Sequence, residues 1–463
     1  MPELDAVLAR IDADLDHSLA RLFEFLRIAS VSTDPAFDAD CRKAADWMAA
    51  ALGGIGIEAE VVPTKGKPMV VGRGGNGDGS APPVLFYGHY DVQPPDPLDE
   101  WAAPPFEPRI EGEGGVARIV ARGACDDKGQ LMTFLEALRA WVHVTGAIPL
   151  NVKVLIEGEE ECGSPSLPGF LAEHGNAVKA DLALICDTAM WNRSTPAIST
   201  RLRGLLTEEI VVTGPGRDLH SGMFGGPAWN PIRVLAGLLA SLHDAEGRVA
   251  VPGFYDSVDE LDEETAAGWA GLGLDEAAFL ADIGQTSSGG EKGRTMLEQL
   301  WSRPTLEING IIGGYTGAGT KTVIPSRASA KITCRLVGRQ EPDHVRSRLE
   351  AHLRRVVPEG VKLEFLGGLG SPAIEMASDA PAFRAARAAL ADEWGAEAAL
   401  IGCGGSIPIV DSFKRHLAMD SLLVGFALDD DRVHSPNEKY NVESFRKGAR
   451  SWARIIGALA RLG

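Results

Sequence analysis

Apolar residues follow three rhythms along this chain of 463 residues. At the start, Leu4, Leu8, Ile11, Leu15, Leu19, Leu22 and Leu26 recur at helical spacing with aspartates between them, which predicts an acidic amphipathic helix over the first 30 residues. Short unbroken apolar runs at Val84–Tyr87, Val152–Ile156, Leu182–Cys186 and Leu422–Phe426 predict buried strands of a largely parallel sheet. Between the first two, Leu131, Phe134, Leu135, Leu138, Trp141 and Val142 share one helical face, so the order is strand, helix, strand, as in a doubly wound domain. The middle reads differently. Strand-like Leu205–Val212, helix-like Ile232–Leu242, strand-like Leu306–Ile312 and Ala328–Val337, helix-like His344–Val356 and strand-like Val361–Phe365 give the order βαββαβ of a ferredoxin-like α+β domain. An acidic stretch from Val249 to Arg303, expected to be helical, interrupts it. The predicted fold class is α/β: a mixed, mostly parallel sheet flanked by helices, built from 1–198 and 378–463, with a domain inserted at 199–377.

Composition narrows the field. A net charge of −19 repels phosphate backbones and anionic membranes, so neither nucleic acid nor membrane is an expected partner. No apolar run approaches the about 18 residues of a transmembrane span. The N-terminus lacks the basic start and unbroken apolar stretch of a secretory signal, so the expected address is cytoplasmic. Six cysteines without a Cys-x-x-Cys pair read as reduced thiols, not as a disulfide framework or a thiolate zinc site. Gly72–Ser80 is rich in glycine, but no helix follows and no Gly-Lys-Ser/Thr is present, so it reads as a surface loop and not a phosphate cradle.

Five patches carry the chemistry: Gly-His-Tyr-Asp at 88–91, Cys-Asp-Asp-Lys-Gly at 125–129, Glu-Glu-Glu at 159–161, Cys-Asp-Thr at 186–188 and His-Ser-Pro-Asn-Glu at 434–438. Each is read as lying where a predicted strand ends, and ligands of open α/β sheets bind outside the carboxyl ends of strands. His89, Asp126, Glu160, Glu161, Asp187 and His434 are therefore expected to be neighbours. Two divalent ions about 3.5–4 Å apart need a bridging carboxylate with histidine and carboxylate ligands on each side. Asp91 is placed to accept the second N–H of the His89 ring. Of Asp126 and Asp127, one would bridge while the other caps the helix or orients, and spacing leaves open which. Three adjacent glutamates are ordinarily a solvated patch. Directly after an apolar strand, they are placed to supply a ligand and a general base. Asp187 as a simple cap and His434 as a surface histidine are the plainer alternatives. Cys125, Cys162 and Cys186 adjoin proposed ligands; they read as small buried residues, with oxidative inactivation as the sharper expectation.

The chain resembles the co-catalytic metallopeptidase family that contains carnosinase-type dipeptidases, carboxypeptidase G, aminoacylase-1 and succinyl-diaminopimelate desuccinylase. The matching pieces span nearly the whole chain: GHYDVQP at 88–94, ARGACDDKG at 121–129, EGEEECGS at 157–164, ICD at 185–187, DLHSGMFGG at 218–226, GTKTVIPSR at 319–327, CRLVG at 334–338, GGSIP at 404–408 and HSPNEKYN at 434–441. HSGMFGG, KTVIP, GGSIP and HSPNE are nearest to the cytosolic dipeptidase branch. The resemblance implies a zinc-exopeptidase-like catalytic domain, and a dimerisation or lid role for the inserted one. It implies His89, Asp126 and Asp187 around one metal, Asp126, Glu161 and His434 around the other, and a cis peptide between Asp126 and Asp127. It further implies Glu160 as general base acting on a metal-bridging water, and His220 reaching the partner subunit's site in a homodimer to stabilise the oxyanion. Arg335 would hold the substrate carboxylate, with Thr322 and Ser406 in the same pocket. The expected cofactors are two divalent ions per subunit, zinc first and manganese or cobalt next. The expected reaction is hydrolysis of dipeptides with a free C-terminal carboxylate. An N-acyl-amino-acid amidohydrolase or carboxypeptidase is the alternative of the same chemistry; a non-catalytic metal-binding scaffold and a two-metal phosphoesterase are those of other classes.

Overall fold

The computed structural model describes residues 2–75 and 83–462, so the reading of Gly72–Ser80 as a loop falls, beyond Gly75, outside the described residues. The chain divides into two compact units. The first comprises Met1–Thr200, Met376–Ile401 and Pro408–Gly463, and the second Arg201–Glu375 with Gly402–Ile407.

In the first unit a mixed sheet runs in the order Glu58–Val62, Met69–Gly74, Val152–Glu157, Val84–His89, Leu182–Ile185, Asp420–Leu423, Ala197–Leu202. The strands on either side of Val84–His89 are parallel to it, and Asp420–Leu423 is parallel to Leu182–Ile185. Alternation along a strand sends neighbours to opposite faces. Phe86 stacks on Phe134 of the Lys128–Thr145 helix at 3.7 Å between centroids, and meets Trp452 of the Val442–Leu459 helix edge-on at 6.1 Å. Tyr87, on the other face, meets Phe413 of the Pro408–Leu417 helix at 5.8 Å. Helices thus cover both faces and bury Val84–His89 completely. The parallel register sets His89 opposite Glu157, and Tyr87 opposite Ile185, so the segments that follow all leave the sheet at one edge.

The second unit holds the antiparallel order Thr305–Gly313, Arg327–Leu336, Gly204–Thr213, Lys362–Phe365, the spatial order of a ferredoxin-like βαββαβ unit. Its helices Pro231–Ala240 and Pro342–Val356 contribute Val234, Leu235, Leu238, Val345, Leu349 and Leu353 to a core with Leu206, Ile210, Val212 and Ile332.

Four expectations change. Gly72–Gly74, read as part of a surface loop, instead ends the strand Met69–Gly74 and pairs with Val152–Glu157. The N-terminal helix is two, Pro2–Ala13 and Leu15–Leu26, because the backbone leaves helical geometry at Asp14 (φ −99°, ψ 7°), whose carboxylate is engaged by Arg10, His17 and Arg21. The 249–303 stretch forms only three short helices, Glu263–Gly271, Glu276–Asp282 and Met296–Trp301, and is tied together by ion pairs such as Arg303 with Glu291. The range 378–463 does not stay whole. Gly402–Ile407 groups with the second unit, since the Arg203 amide donates to the carbonyls of Cys403 (3.3 Å) and Gly405 (3.1 Å), and its Nε donates to that of Gly404 (2.9 Å). A Cβ at Gly402 would lie 2.4 Å from Trp301 Cβ, so this approach requires glycine.

Candidate metal centre

The first unit gathers five of the predicted ligands where its parallel strands end. His89 is the last residue of its strand; Asp126 precedes the Lys128–Thr145 helix; Glu161 lies in a single helical turn after Val152–Glu157; Asp187 follows Leu182–Ile185; His434 follows the turn Asp429–Asp431. Two donor groups result, His89 with Asp126 and Asp187, and Asp126 with Glu161 and His434, each with ligand atoms within 4.8 Å of one another. Asp126 belongs to both. Its Oδ1 lies 3.1 Å from His89 Nε2, and its Oδ2 lies 2.9 Å from His434 Nε2. Glu161 Oε2 is 3.2 Å from His434 Nε2, and Asp187 Oδ2 is 3.8 Å from His89 Nε2. His89 Nε2 and Glu161 Oε1 are buried without a hydrogen-bond partner among the described residues. Buried polar atoms left this way are costly unless something else binds them. Nitrogen and oxygen donors in two groups sharing one carboxylate suit a pair of divalent cations.

Asp126 and Asp127 differ in what each touches: Asp126 is the one that belongs to both donor groups. The peptide between them is cis. Asp127 makes no side-chain cap to the helix; its Oδ2 accepts from the His89 amide at 3.2 Å, so it orients the strand end. Asp91 is likewise an orienting group. Its carbonyl and carboxylate lie 3.1 and 3.3 Å from His89 Nδ1, and its two carboxylate oxygens accept from the amides of Glu160 (3.3 Å) and Glu161 (3.1 Å). One side chain thus fixes the ring of one ligand and the backbone of another.

Three groups around the ligands went unassigned in the sequence. Buried Glu438 accepts from Arg122 Nη1 (2.8 Å) and from the amides of Gly123 (3.0 Å), Cys125 (2.8 Å) and Asp126 (3.1 Å). Gln93 donates to Glu161 Oε2 at 2.8 Å. Lys128, fully buried, donates to the carbonyls of Phe25 (3.2 Å) and Ile28 (2.6 Å) and so fastens the segment after Asp127 to the end of the second helix. All sit inside the motifs quoted above, and motif membership was their only signal. Of the three adjacent cysteines, Cys125 and Cys186 are buried as expected, whereas Cys162 is exposed.

Burial raises Glu160 to about 8, with Asp187, Glu161 and Asp126 adding to it, and raises Asp187 to about 7 with help from Asp126. Asp126 and Glu161 raise His434 to about 10. Asp126 itself is held well below the carboxylate range, because His434 and His89 outweigh its burial. A proton held more tightly folded than unfolded stabilises at low pH, and that contribution is lost as pH rises. For Glu160 and Asp187 the loss runs from the ordinary carboxylate value of about 4 up to about 8 and about 7. For His434 it runs from about 6.5 to about 10. Chelator-stripped protein is therefore expected to lose thermal stability steadily from about pH 5 to about pH 9. Reloading with metal at a hundredfold excess over Kd should restore about 2.7 kcal/mol, most visibly at the alkaline end. Melting curves of stripped and loaded protein across this range test it; a flat or rising profile for the stripped form would contradict the assignment.

The remaining predicted residues lie in the second unit. His220 and Thr322 are brought together there: His220 pairs with Val323, the Ser221 amide donates to the Thr322 carbonyl at 3.0 Å, and His220 Nδ1 accepts from the Gly222 amide at 3.1 Å. Arg335 is on the central strand Arg327–Leu336, opposite Leu205 and Thr305, and its guanidinium has no hydrogen-bond or ion-pair partner among the described residues. Burial, with Arg335 nearby, lowers Arg203 to about 10. Ser406 lies on the 402–407 loop that Arg203 holds.

A fold of this kind with a shared-carboxylate donor set defines a metal-dependent hydrolase of the exopeptidase type. The model of peptidase family M20/M25/M40 matches residues 85–458, and the chain belongs to that family. It is a metallopeptidase. The Cys-Gly metallodipeptidase dug1 of Schizosaccharomyces pombe is 30% identical over 474 residues, covering 99% of this chain and 98% of that protein. The Beta-Ala-His dipeptidase of Rattus norvegicus is 31% identical, covering 85% of this chain and 80% of that one. Among solved structures, the M20 family metallo-carboxypeptidase Sso-CP2 from Sulfolobus solfataricus aligns with a TM-score of 0.83 at 30% identity over 96% of this chain and 99% of that one. No helix among the described residues is long and apolar enough to cross a membrane.

Proposed function

We propose that this metallopeptidase is a cytoplasmic, homodimeric dipeptidase that uses two divalent ions per subunit, zinc first and manganese or cobalt next. The observation that carries the reading is the pair of donor groups sharing Asp126, with the carboxylate-bearing Glu160 on the same turn as Glu161 and outside both groups. When bound, the cations supply a lower pKa for water and a Lewis acid for the amide carbonyl. Glu160 then takes the proton of the attacking water and returns it to the leaving amine. Asp91 and Asp127 keep the His89 ring and strand end in place during this transfer. In the second unit, the Arg335 guanidinium is a planar donor without a hydrogen-bond or ion-pair partner among the described residues, suited to a free C-terminal carboxylate. Thr322 and Ser406 would lie along the same peptide, and His220 would stabilise the developing oxyanion.

The dug1 and Beta-Ala-His relatives are dipeptidases by name, and both support the dipeptide as substrate. The Sso-CP2 alignment keeps carboxypeptidase action as the second reading. The test is hydrolysis of Cys-Gly, β-Ala-His, a tripeptide and N-acetyl amino acids by stripped protein reloaded with zinc or manganese. Cleavage of dipeptides alone supports the proposal. Preference for acylated amino acids or longer peptides would move it to the sister activities, and silence would favour a metal-binding scaffold. Arg335→Lys is expected to raise KM about tenfold or more with a smaller change in kcat, since one bidentate contact is lost.

The homodimer is supported by the edge strand Thr305–Gly313, which exposes Ile308, Ile311 and Ile312. If His220 serves the partner's site, mixing inactive His220→Ala and Glu160→Gln homodimers should regain about a quarter of wild-type activity, because half the dimers would be mixed and each would hold one complete site. Absence of recovery in verified mixed dimers would place His220 in its own subunit's site.

A further inference from the structure

The first unit contains a second small sheet, Lys439–Asn441, Arg118–Val120 and Arg109–Glu111, whose register aligns Lys439, Val120 and Arg109 in one row and Asn441, Arg118 and Glu111 in the row two residues along. Residues two apart on a strand share a face. One face of this sheet therefore presents Arg109, Arg118 and Lys439 against a single carboxylate, Glu111. Beside it lies a cavity of about 340 Å³, also lined by Asp430 and Arg432 from the segment that carries His434. With the flanking Arg193 and the buried Asp431, which also pairs with Lys439, five cations meet three carboxylates in a chain whose net charge is −19; the lining itself holds four of those cations and two of those carboxylates. Both carboxylates are already shared. Glu111 binds Arg109 Nη2 and Arg118 Nη2, each at 2.8 Å, and Asp430 binds Lys439 and Arg193, each at 2.8 Å. Arg109 Nη1 is buried without a partner, and the exposed Arg432 guanidinium has neither hydrogen bond nor ion pair among the described residues.

We infer that this cavity is an anion site, separate from the metal ligands, for a phosphate-class oxyanion carrying two negative charges. Guanidinium forks from three arginines match oxygen acceptors on several sides of such an ion, and two unmatched positive charges match its valence. The occupant also has a structural task. Arg432, His434 and Asn437 all hold left-handed backbone (φ 56°, 63° and 60°), a conformation costly for side-chain-bearing residues and kept only by surrounding contacts. An anion bridging Arg432 to Arg109 and Arg118 ties this segment, and with it His434, to the sheet.

Calorimetric titration of the metal-loaded enzyme with inorganic phosphate and with glycerol 2-phosphate tests the site. Arg118→Gln, at a side chain 49% exposed, and Arg432→Gln are expected to weaken phosphate binding at least tenfold each. His434→Ala, which removes a metal ligand, is expected to leave a phosphate-binding event in place, and phosphate should act noncompetitively toward dipeptide. Binding of both probes points to monoesters as well as free phosphate as occupants; binding of inorganic phosphate alone restricts the site to the free ion. Unchanged phosphate affinity in both arginine variants, or loss of all phosphate binding in His434→Ala, overturns the inference by placing phosphate at the metals.

Discussion

Replacement of Glu160 by glutamine is expected to lower kcat for dipeptide hydrolysis by about 10²–10⁴-fold, the range of general acid–base catalysis, while the protein keeps its metal. The second half of that expectation is as important as the first. Glu160 stands outside both donor groups, and its backbone is held by Asp91 through an amide that the substitution does not touch. A ligand variant such as Glu161→Gln should instead lose metal and activity together, because Glu161 is one of three residues in its group. KM should move little in Glu160→Gln, since the lost interaction belongs to proton transfer and not to ground-state binding. Metal content and steady-state kinetics on the same preparations distinguish these outcomes. A Glu160→Gln enzyme with kcat within tenfold of wild type, fully metallated, would remove Glu160 from the base position and leave the proposed mechanism without its proton carrier.

Much of the architecture was legible because it rests on local rhythm. An apolar run such as Leu182–Cys186 is buried on both faces of a parallel sheet, so it needs no polar alternation and stands out. The strand-like alternation of 328–337 and the helical spacing of 344–356 gave the ferredoxin-like order for the same reason. The cluster of ligands was legible one step further on, because parallel strands leave a sheet at one edge whatever the distance between them in the chain. What stayed hidden depends on contacts that carry no periodicity. The Gly402–Ile407 loop joins the second unit through backbone amides and carbonyls around Arg203, and main-chain hydrogen bonds leave no pattern in side-chain identity. Asp126 and Asp127 are chemically the same residue; only the direction of each carboxylate separates the one that joins both donor groups from the one that accepts from the His89 amide. Asp14 interrupts a helix whose apolar spacing runs straight through it, since periodicity reports which face is buried and not where the backbone bends.

Glu438 shows the same limit with a larger consequence. A glutamate three residues after a serine in HSPNE reads as an unremarkable polar residue, yet its carboxylate organises the turn that presents Asp126. Four donors converge on it, three of them consecutive or near-consecutive amides of 123–126, and the fourth is the buried guanidinium of Arg122. Glu438→Ala leaves that charge without its carboxylate and the amides without an acceptor in a place water does not reach. Breaking one member of a buried ion pair costs about 3–5 kcal/mol, enough to consume a large part of a domain's net stability. Because Asp126 is shared by both donor groups, displacement of its backbone weakens both at once. Metal affinity is expected to fall by about 10–100-fold, the range for loss of a group that supports a ligand from behind, with a lowered melting temperature that excess metal partly restores. Glu438→Gln separates the two effects: it keeps one oxygen acceptor and the side-chain shape but removes the charge, so it should recover part of the stability while Arg122 remains unpaired. Metal titration and thermal unfolding of both variants decide the matter. Wild-type metal affinity in Glu438→Ala would mean that the 121–126 turn holds Asp126 without this carboxylate.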